Sequence, residues 1–303
     1  MICVLLSTYN GEDYLTTLLD SLLAQDYPDI KILIRDDGST DRTRKILSDY
    51  AAEHGHIETI QGSNVGANRS FFELLASVPE GADYAAFCDQ DDYWESDKLS
   101  RALGLLAEHR TDGPAMYFSR LTIADGDLNT LSLTAPPPRG PSFENALVEN
   151  IATGATIVLN RAAVDLVAGH TPDIDKVEMY DWWIYQTVSA LGTVLFDDQS
   201  RIKSRQHSRN VVGLPFGTRR WRSKYRFIGS RDKRKISTQA GEFSRIFQDR
   251  VSEEHRCLLD EFLAGVGESN ILGRTRYAIR GRVHRQKTTD DLLLKLRIVL
   301  GLV

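Results

Sequence analysis

The sequence predicts an α/β fold: a mixed, mostly parallel sheet flanked by helices, with a C-terminal helical extension. Short apolar runs alternate with helix-periodic stretches through the first 110 residues, and the links between them are short and polar. Strand–helix alternation of this kind is the pattern of parallel strands joined by crossover helices. The charge then changes sign. Residues 1–213 hold 17 Lys and Arg against 32 Asp and Glu, whereas residues 214–303 hold 20 against 10. We therefore expect one domain over 1–213 and a basic, mainly helical extension over 214–303.

Taken in order, residues 2–7 are a short apolar run, as a buried strand requires. Over 14–25, Leu15, Leu18, Leu19 and Leu22 recur at helical spacing, and Pro28 stops that helix. Residues 30–35 form a second strand. The turn at 37–41 offers Ser39 or Thr40 as the cap of a helix reaching about residue 54. A third strand at 57–61, a turn at 64–66 and a helix at 68–77 follow. A fourth strand at 84–88 leads into Asp89-Gln90-Asp91-Asp92, and a helix occupies 96–109. Beyond it we expect strands at 116–123 and 156–159, a proline-rich loop at 136–141, and a helix from 181 to 190 carrying Trp182 and Trp183. Residues 194–197 and 201–204 read as two strands that pair with each other. From about residue 219 the text is mainly helical.

The composition is that of an ordinary globular protein, with 42% hydrophobic and 26% charged residues. Cys3, Cys88 and Cys257 are too few and too scattered for a disulfide framework or a zinc site, so a reducing cytoplasm is expected. No basic leader precedes the first apolar run. No stretch approaches the ~20 apolar residues of a membrane span.

In open parallel sheets, ligands sit beyond the carboxyl ends of strands. The polar clusters fall there: Thr8-Tyr9-Asn10 after the first strand, Asp36-Asp37 after the second, and Asp89-Gln90-Asp91-Asp92 after the fourth. Adjacent carboxylates repel and raise one another's pKa, a cost that a hard divalent cation removes. Oxygen ligands of this kind suit Mg²⁺ or Mn²⁺, which also bind substrate phosphates. The plain alternative for each cluster is a solvated acidic turn.

The residues then carry a family resemblance. Residues 4–11, Ile34-Arg35-Asp36-Asp37-Gly38-Ser39-Thr40-Asp41, Asn64-Val65-Gly66 and Phe87-Cys88-Asp89-Gln90-Asp91-Asp92-Tyr93-Trp94 resemble, in order and spacing, the inverting family-2 glycosyltransferases. The likeness covers about residues 1–213. The Asp-Gln-Asp-Asp form and residues 205–213 are similar to a bacterial rhamnosyltransferase-like branch.

The resemblance implies a GT-A fold, a divalent metal (Mn²⁺ or Mg²⁺) and a nucleotide-diphosphate sugar donor, dTDP-rhamnose first and a UDP-hexose next. By position, Thr8, Tyr9 and Asn10 would hold the base and ribose, and Asp37 the base edge. Asp89 and Gln90 would lie by the donor, and Asp91 and His207 would ligate the metal. Arg69 and Arg205 would face the diphosphate. Asp181, in Met179-Tyr180-Asp181-Trp182-Trp183, would be the general base; related sequences often have His where this chain has Tyr180. Asp92, Trp94, Gly154, Trp182 and Trp183 are candidates for the sugar or acceptor pocket, with core packing as the alternative for the tryptophans. The acceptor would be a hydroxyl of a cell-surface glycan or a lipid-linked glycan.

Two other readings compete. A non-catalytic nucleotide-sugar or glycan-binding module would keep the same fold, but the intact acidic residues argue against it. A nucleotidyltransferase would carry a Gly-rich basic loop after the first strand, and a dehydrogenase would carry G-x-G-x-x-G there; this chain has neither.

In the extension, Arg274, Arg276, Arg280, Arg282, Arg285 and Lys287 precede the apolar run at 292–300, and residues 219–235 form a second basic stretch. Basic and apolar residues side by side suit an interfacial helix on anionic lipid. Peripheral attachment to the inner face of the plasma membrane is therefore expected, with an ordinary packed or dimerising helix in a homo-oligomer as the alternative. No nucleic-acid recognition motif is present.

Overall fold

A computed structural model of the chain describes residues 1–109, 112–206 and 235–303. It contains a seven-stranded and a four-stranded sheet. The first half lays down β1 (Ile2–Thr8), α1 (Leu15–Leu23), β2 (Ile30–Asp36), α2 (Thr43–Glu53), β3 (Ile57–Gln61) and α3 (Ala67–Ala76). Then come β4 (Tyr84–Asp89), β5 (Tyr93–Trp94), α4 (Lys98–Glu108), β6 (Ala115–Ser119), β7 (Thr122–Ala124) and β8 (Thr130–Leu133). After a short helix α5 (Phe143–Ala146) follow β9 (Val158–Asn160), α6 (Arg161–Ala168), α7 (Tyr180–Leu191), β10 (Thr193–Asp197) and β11 (Ile202–Arg205). Four further helices are described: α8 (Lys235–Phe247), α9 (Glu253–Gly267), α10 (Ile271–Arg280) and α11 (Thr288–Val299).

The large sheet has the order β10-β6-β9-β4-β1-β2-β3. Strand β1 pairs in parallel with β2 and β4, β2 with β3, and β6 with β10. Only β9 runs against its neighbours. Alternate side chains leave opposite faces of a strand, and the two cores follow that rule. Cys3, Leu5, Leu33, Ala85 and Phe87 point to the face covered by α3, α6, α7 and the C-terminal helices. Ile2, Val4, Leu6, Ile34 and Cys88 point to the face covered by α1, α2 and α4. Leu15, Leu18, Leu19 and Leu22 are all buried, as their spacing predicts. All three cysteines are free.

The structure corrects several expectations. The strand expected at 116–123 is two strands in two sheets, split at Arg120. The Arg120 side chain bonds Thr134 O and Asp198, and its N–H bonds Asp197 O. Strands β10 and β11 do not pair with each other; β10 joins β6, and β11 joins β5 and β7. Neither Ser39 nor Thr40 caps α2. The helix starts later, with Asp41 accepting the Thr43 N–H, because Ser39 and Thr40 are both tied to Asn10.

Candidate active site

Strands β4, β1 and β2 are adjacent, with Ser7 in register with Asp89 and with Arg35, and Thr8 with Asp36. The three polar clusters therefore emerge side by side from one edge of the sheet.

They are also stitched together. The Tyr9 N–H donates to Gln90 Oε1 (2.9 Å) and Gln90 Nε2 donates to Tyr9 O (3.1 Å). A β-carbon on Gly11 would lie 2.8 Å from Gln90 Cδ, so this clasp needs glycine there. Asn10 is left-handed, with φ 49°, a conformation that Asn tolerates better than most residues. Its N–H donates to Ser39 Oγ and its Oδ1 accepts the Thr40 N–H. Thr8 is buried, with its hydroxyl over Asp36 and Arg35 O, and Tyr9 is exposed.

Asp37 is buried, and its carboxylate accepts the Val65 and Gly66 N–H groups (2.9 Å each) and the Arg35 guanidinium. Its evident task is to hold the 64–66 turn against β2. The base-edge role implied by resemblance has to share a carboxylate already occupied in this way.

The expected base lies at the start of α7. Asn68 donates to Val177 O and Glu178 O and accepts the Tyr180 N–H, fixing the start of α7. Asp181 is the second residue of that helix and is buried. Its Oδ2 accepts the Gly154 N–H (3.0 Å) and its Oδ1 the Trp182 N–H (2.7 Å). Burial pushes its carboxyl up to about 6, against the opposing pull of those N–H groups and the Asn150 side chain. Burial also pushes the Asp89 carboxyl up to about 7, with the charges of Asp91 and Asp181 adding to the rise. Asp91 and Asp181 thus both lie close enough to Asp89 for their charges to act on it.

The Tyr180 ring is stacked on Phe71 at 4.1 Å and lies 5.3 Å from Phe87, and it sits within reach of the Asp89 and Asp181 charges. Asn68, Asn150 and Tyr180 were not singled out as site residues by sequence reasoning. Asn68 opens a helix next to a Gly turn, and only its distant partners reveal its use.

The remaining candidates are buried or engaged with other partners. Trp94 is buried in the α1/α4 core with the Lys98 ammonium 3.6 Å above its ring. Trp183 is fully buried against Phe243 and Phe247. Trp182 is buried with its Nε1 donating to Ala146 O. Asp92 is buried too, beside Ser204 and Lys98, and burial with the Asp89 and Asp91 charges drives its carboxyl well up. All four are buried. The Arg205 guanidinium donates to Asp91 O (3.2 Å) and Gly126 O and lies over the Tyr14 ring, so it braces the acidic loop. Arg69 is half-exposed, 3.9 Å from Asp175. His207 lies outside the described residues.

The donors at the acidic loop are hard oxygens crowded by like charge, a set that fits Mg²⁺ or Mn²⁺. Among the described residues, no three His, Cys, Asp or Glu side chains are already gathered to hold an ion.

The mostly parallel sheet flanked by helices matches the GT-A architecture of the solved glycosyltransferases it resembles. The chain belongs to glycosyl transferase family 2, whose profile matches residues 3–164. It is 27% identical to the dTDP-rhamnosyl transferase RfbG of Shigella flexneri over 74% of this chain and 78% of that protein. It is also 27% identical to the Escherichia coli glucosyltransferase WfaP, a UDP-Glc:alpha-D-GlcNAc-diphosphoundecaprenol beta-1,3-glucosyltransferase, over 69% of this chain and 80% of that one. In fold it is similar to S. aureus TarS solved with UDP-GlcNAc. That likeness has a TM-score of 0.60 and 16% identity, and covers 98% of this chain and 81% of that one. It is likewise similar to the mannosyltransferase PcManGT from Pyrobaculum calidifontis solved with GDP-Man and Mn²⁺. There the TM-score is 0.57 at 16% identity, over 100% and 80% of the two chains.

Proposed function

We propose that this glycosyltransferase moves a sugar, with inversion, from a nucleotide-diphosphate donor to a hydroxyl of a cell-surface or lipid-linked glycan. A dTDP-rhamnose donor is favoured by the relative RfbG, and a UDP-hexose comes next. The observation that carries the reading is Asp181: a buried carboxylate, held by the Gly154 N–H and electrostatically joined to Asp89.

In a single displacement the acceptor oxygen bonds to the anomeric carbon while the bond from that carbon to the diphosphate oxygen breaks. The bonding pair leaves with the diphosphate. Asp181 takes the acceptor proton as the new bond forms. Tyr9, Asn10 and Gln90 form the wall on which the nucleoside rests, with Asp37 securing the turn beside it. Asp91, with His207, would hold Mg²⁺ or Mn²⁺ beside Asp89, and the ion would supply Lewis-acid stabilisation of the departing diphosphate. Metal in the PcManGT complex supports that choice.

The test is a thermal-shift panel of dTDP- and UDP-sugars with Mn²⁺ or Mg²⁺, followed by transfer assays. One donor should raise the melting temperature in a metal-dependent way. Asp181→Asn should keep that shift and lower transfer by about 10²–10⁴-fold. Normal transfer by the variant would remove Asp181 from the role of base.

A further inference from the structure

Helices α10 and α11 lie antiparallel: Arg274, near the start of one, donates through Nε to Val299 O at the end of the other (2.9 Å). Their inner sides are ordinary core, with Ala278, Leu294 and Ile298 buried. Their outer sides are not ordinary surface. Leu272 is 78% exposed, Ile279 74% and Leu292 62%, and Leu296 and Leu300 are both 53% exposed. Leu292, Leu296 and Leu300 recur every four residues and so share one face. No described residue covers that face.

What surrounds it is basic. Arg276 and Arg280 are exposed and lie next to Leu272 and Ile279 around α10, and Lys287 is exposed just before α11. Residues 271–303 hold eight Arg and Lys, of which Arg297 is buried, against two acidic residues. One of the two, Asp291, is buried and already bonded to the Arg285 N–H and Lys295. A second copy of the chain meeting this face across a two-fold axis would bring like charges together. An anionic surface would not. Among the described residues no helix is long and apolar enough to cross a membrane. An apolar stripe with a basic flank is the pattern of helices that lie in a membrane interface.

We propose that the α10–α11 pair docks the protein on an anionic lipid bilayer. Leu272, Ile279, Leu292, Leu296 and Leu300 enter the headgroup boundary, and Arg276, Arg280 and Lys287 pair with lipid phosphates. This goes beyond the transfer reaction and does not depend on which sugar is moved.

The test is co-sedimentation of the full chain with vesicles of phosphatidylcholine alone, or mixed equally with phosphatidylglycerol. Two double variants are compared: Leu292→Ser with Leu296→Ser, and Arg276→Ser with Arg280→Ser. All four positions are at the surface, so the melting temperature should hold. The arginine pair stands as an independent variant if the leucine pair folds poorly. The chain should sediment with the phosphatidylglycerol vesicles only, less so at high salt, and each double variant should bind at least about tenfold more weakly. Recovery in the supernatant with both vesicles would overturn the proposal. So would unchanged binding by both variants, which would place the lipid contact elsewhere in the chain. Self-association without lipid that the leucine substitutions abolish would assign the face to a second copy instead.

Discussion

Gly154 has no side chain because Tyr180 occupies the space. A β-carbon there would lie 2.6 Å from Tyr180 Cζ, and the ring has no room to retreat between Phe71 and Phe87. The same glycine donates its N–H to Asp181, so crowding at one residue moves the proposed base. Gly154→Ala should cost about 1–3 kcal/mol of stability. It should also lower the turnover rate more than it raises the Michaelis constant for the donor, which steady-state kinetics and chemical denaturation together would show. The Asp181 carboxyl, lifted by burial to about 6, gives a pH expectation with a definite sign. The base form disappears as pH falls through about 6, so kcat/KM should be flat above neutrality and fall about tenfold per unit below that point. For stability the sense is reversed. The folded chain holds this proton more tightly than the unfolded one, so the group favours folding at low pH and that contribution is lost as pH rises through about 6. A pH–rate profile with no acidic limb near 6 would contradict the assignment.

Among the elements, α7 does two jobs. Its first turn presents Asp181 to the crevice, while its remainder is buried on nearly every side. Trp183 packs on Phe243 and Phe247 of α8, and Gln186 accepts a hydrogen bond from Gln239. Trp183→Ala should therefore cost about 3–5 kcal/mol, measured by denaturant unfolding. A cost under about 1 kcal/mol would mean that α8 is only loosely applied. This pairing explains what could be read in advance and what could not. The strands β1 to β4 and their helices were legible because apolar runs and leucine spacing report burial directly. Gly and Asp clusters marked the strand ends, and so the crevice. The break at Arg120 was not legible, because 116–123 is uniformly strand-like text and the split depends on partners at Thr134 and Asp197. Strand β8 alternates Thr-Leu-Ser-Leu, but four exposed residues between polar turns are too short a run to mark a strand. The tryptophans leave both readings open in the sequence, because Trp suits a sugar pocket and a core equally well. For Trp183 it is α8, distant in sequence, that completes the core around it.

At the level of the whole molecule, the change of charge along the chain does not coincide with a change of core. The sheet face that carries Leu5, Phe87 and Met116 is continuous with Phe243, Phe262, Leu294 and Ile298 from the C-terminal helices. Polar ties cross the same seam: Asn145 Nδ2 donates to His284 O, the Gln286 N–H to Glu149, and the Asp173 N–H to Glu242. Glu242 also pairs with Arg245, which holds its carboxyl down at about 2 with help from the Asp173 N–H and Lys176, so it stays charged at the seam. A chain cut after residue 213 would keep every acidic residue of the crevice but bare the faces of α5 and α7 that those helices cover. Exposed apolar area on that scale drives association. The 1–213 fragment should therefore be aggregation-prone and inactive when expressed alone. Adding residues 235–303 as a separate polypeptide should recover soluble protein, because side-chain packing and hydrogen bonds hold the two parts together across the seam. A monomeric 1–213 fragment with full donor-dependent thermal shift would instead show that the basic extension is an independent appendage.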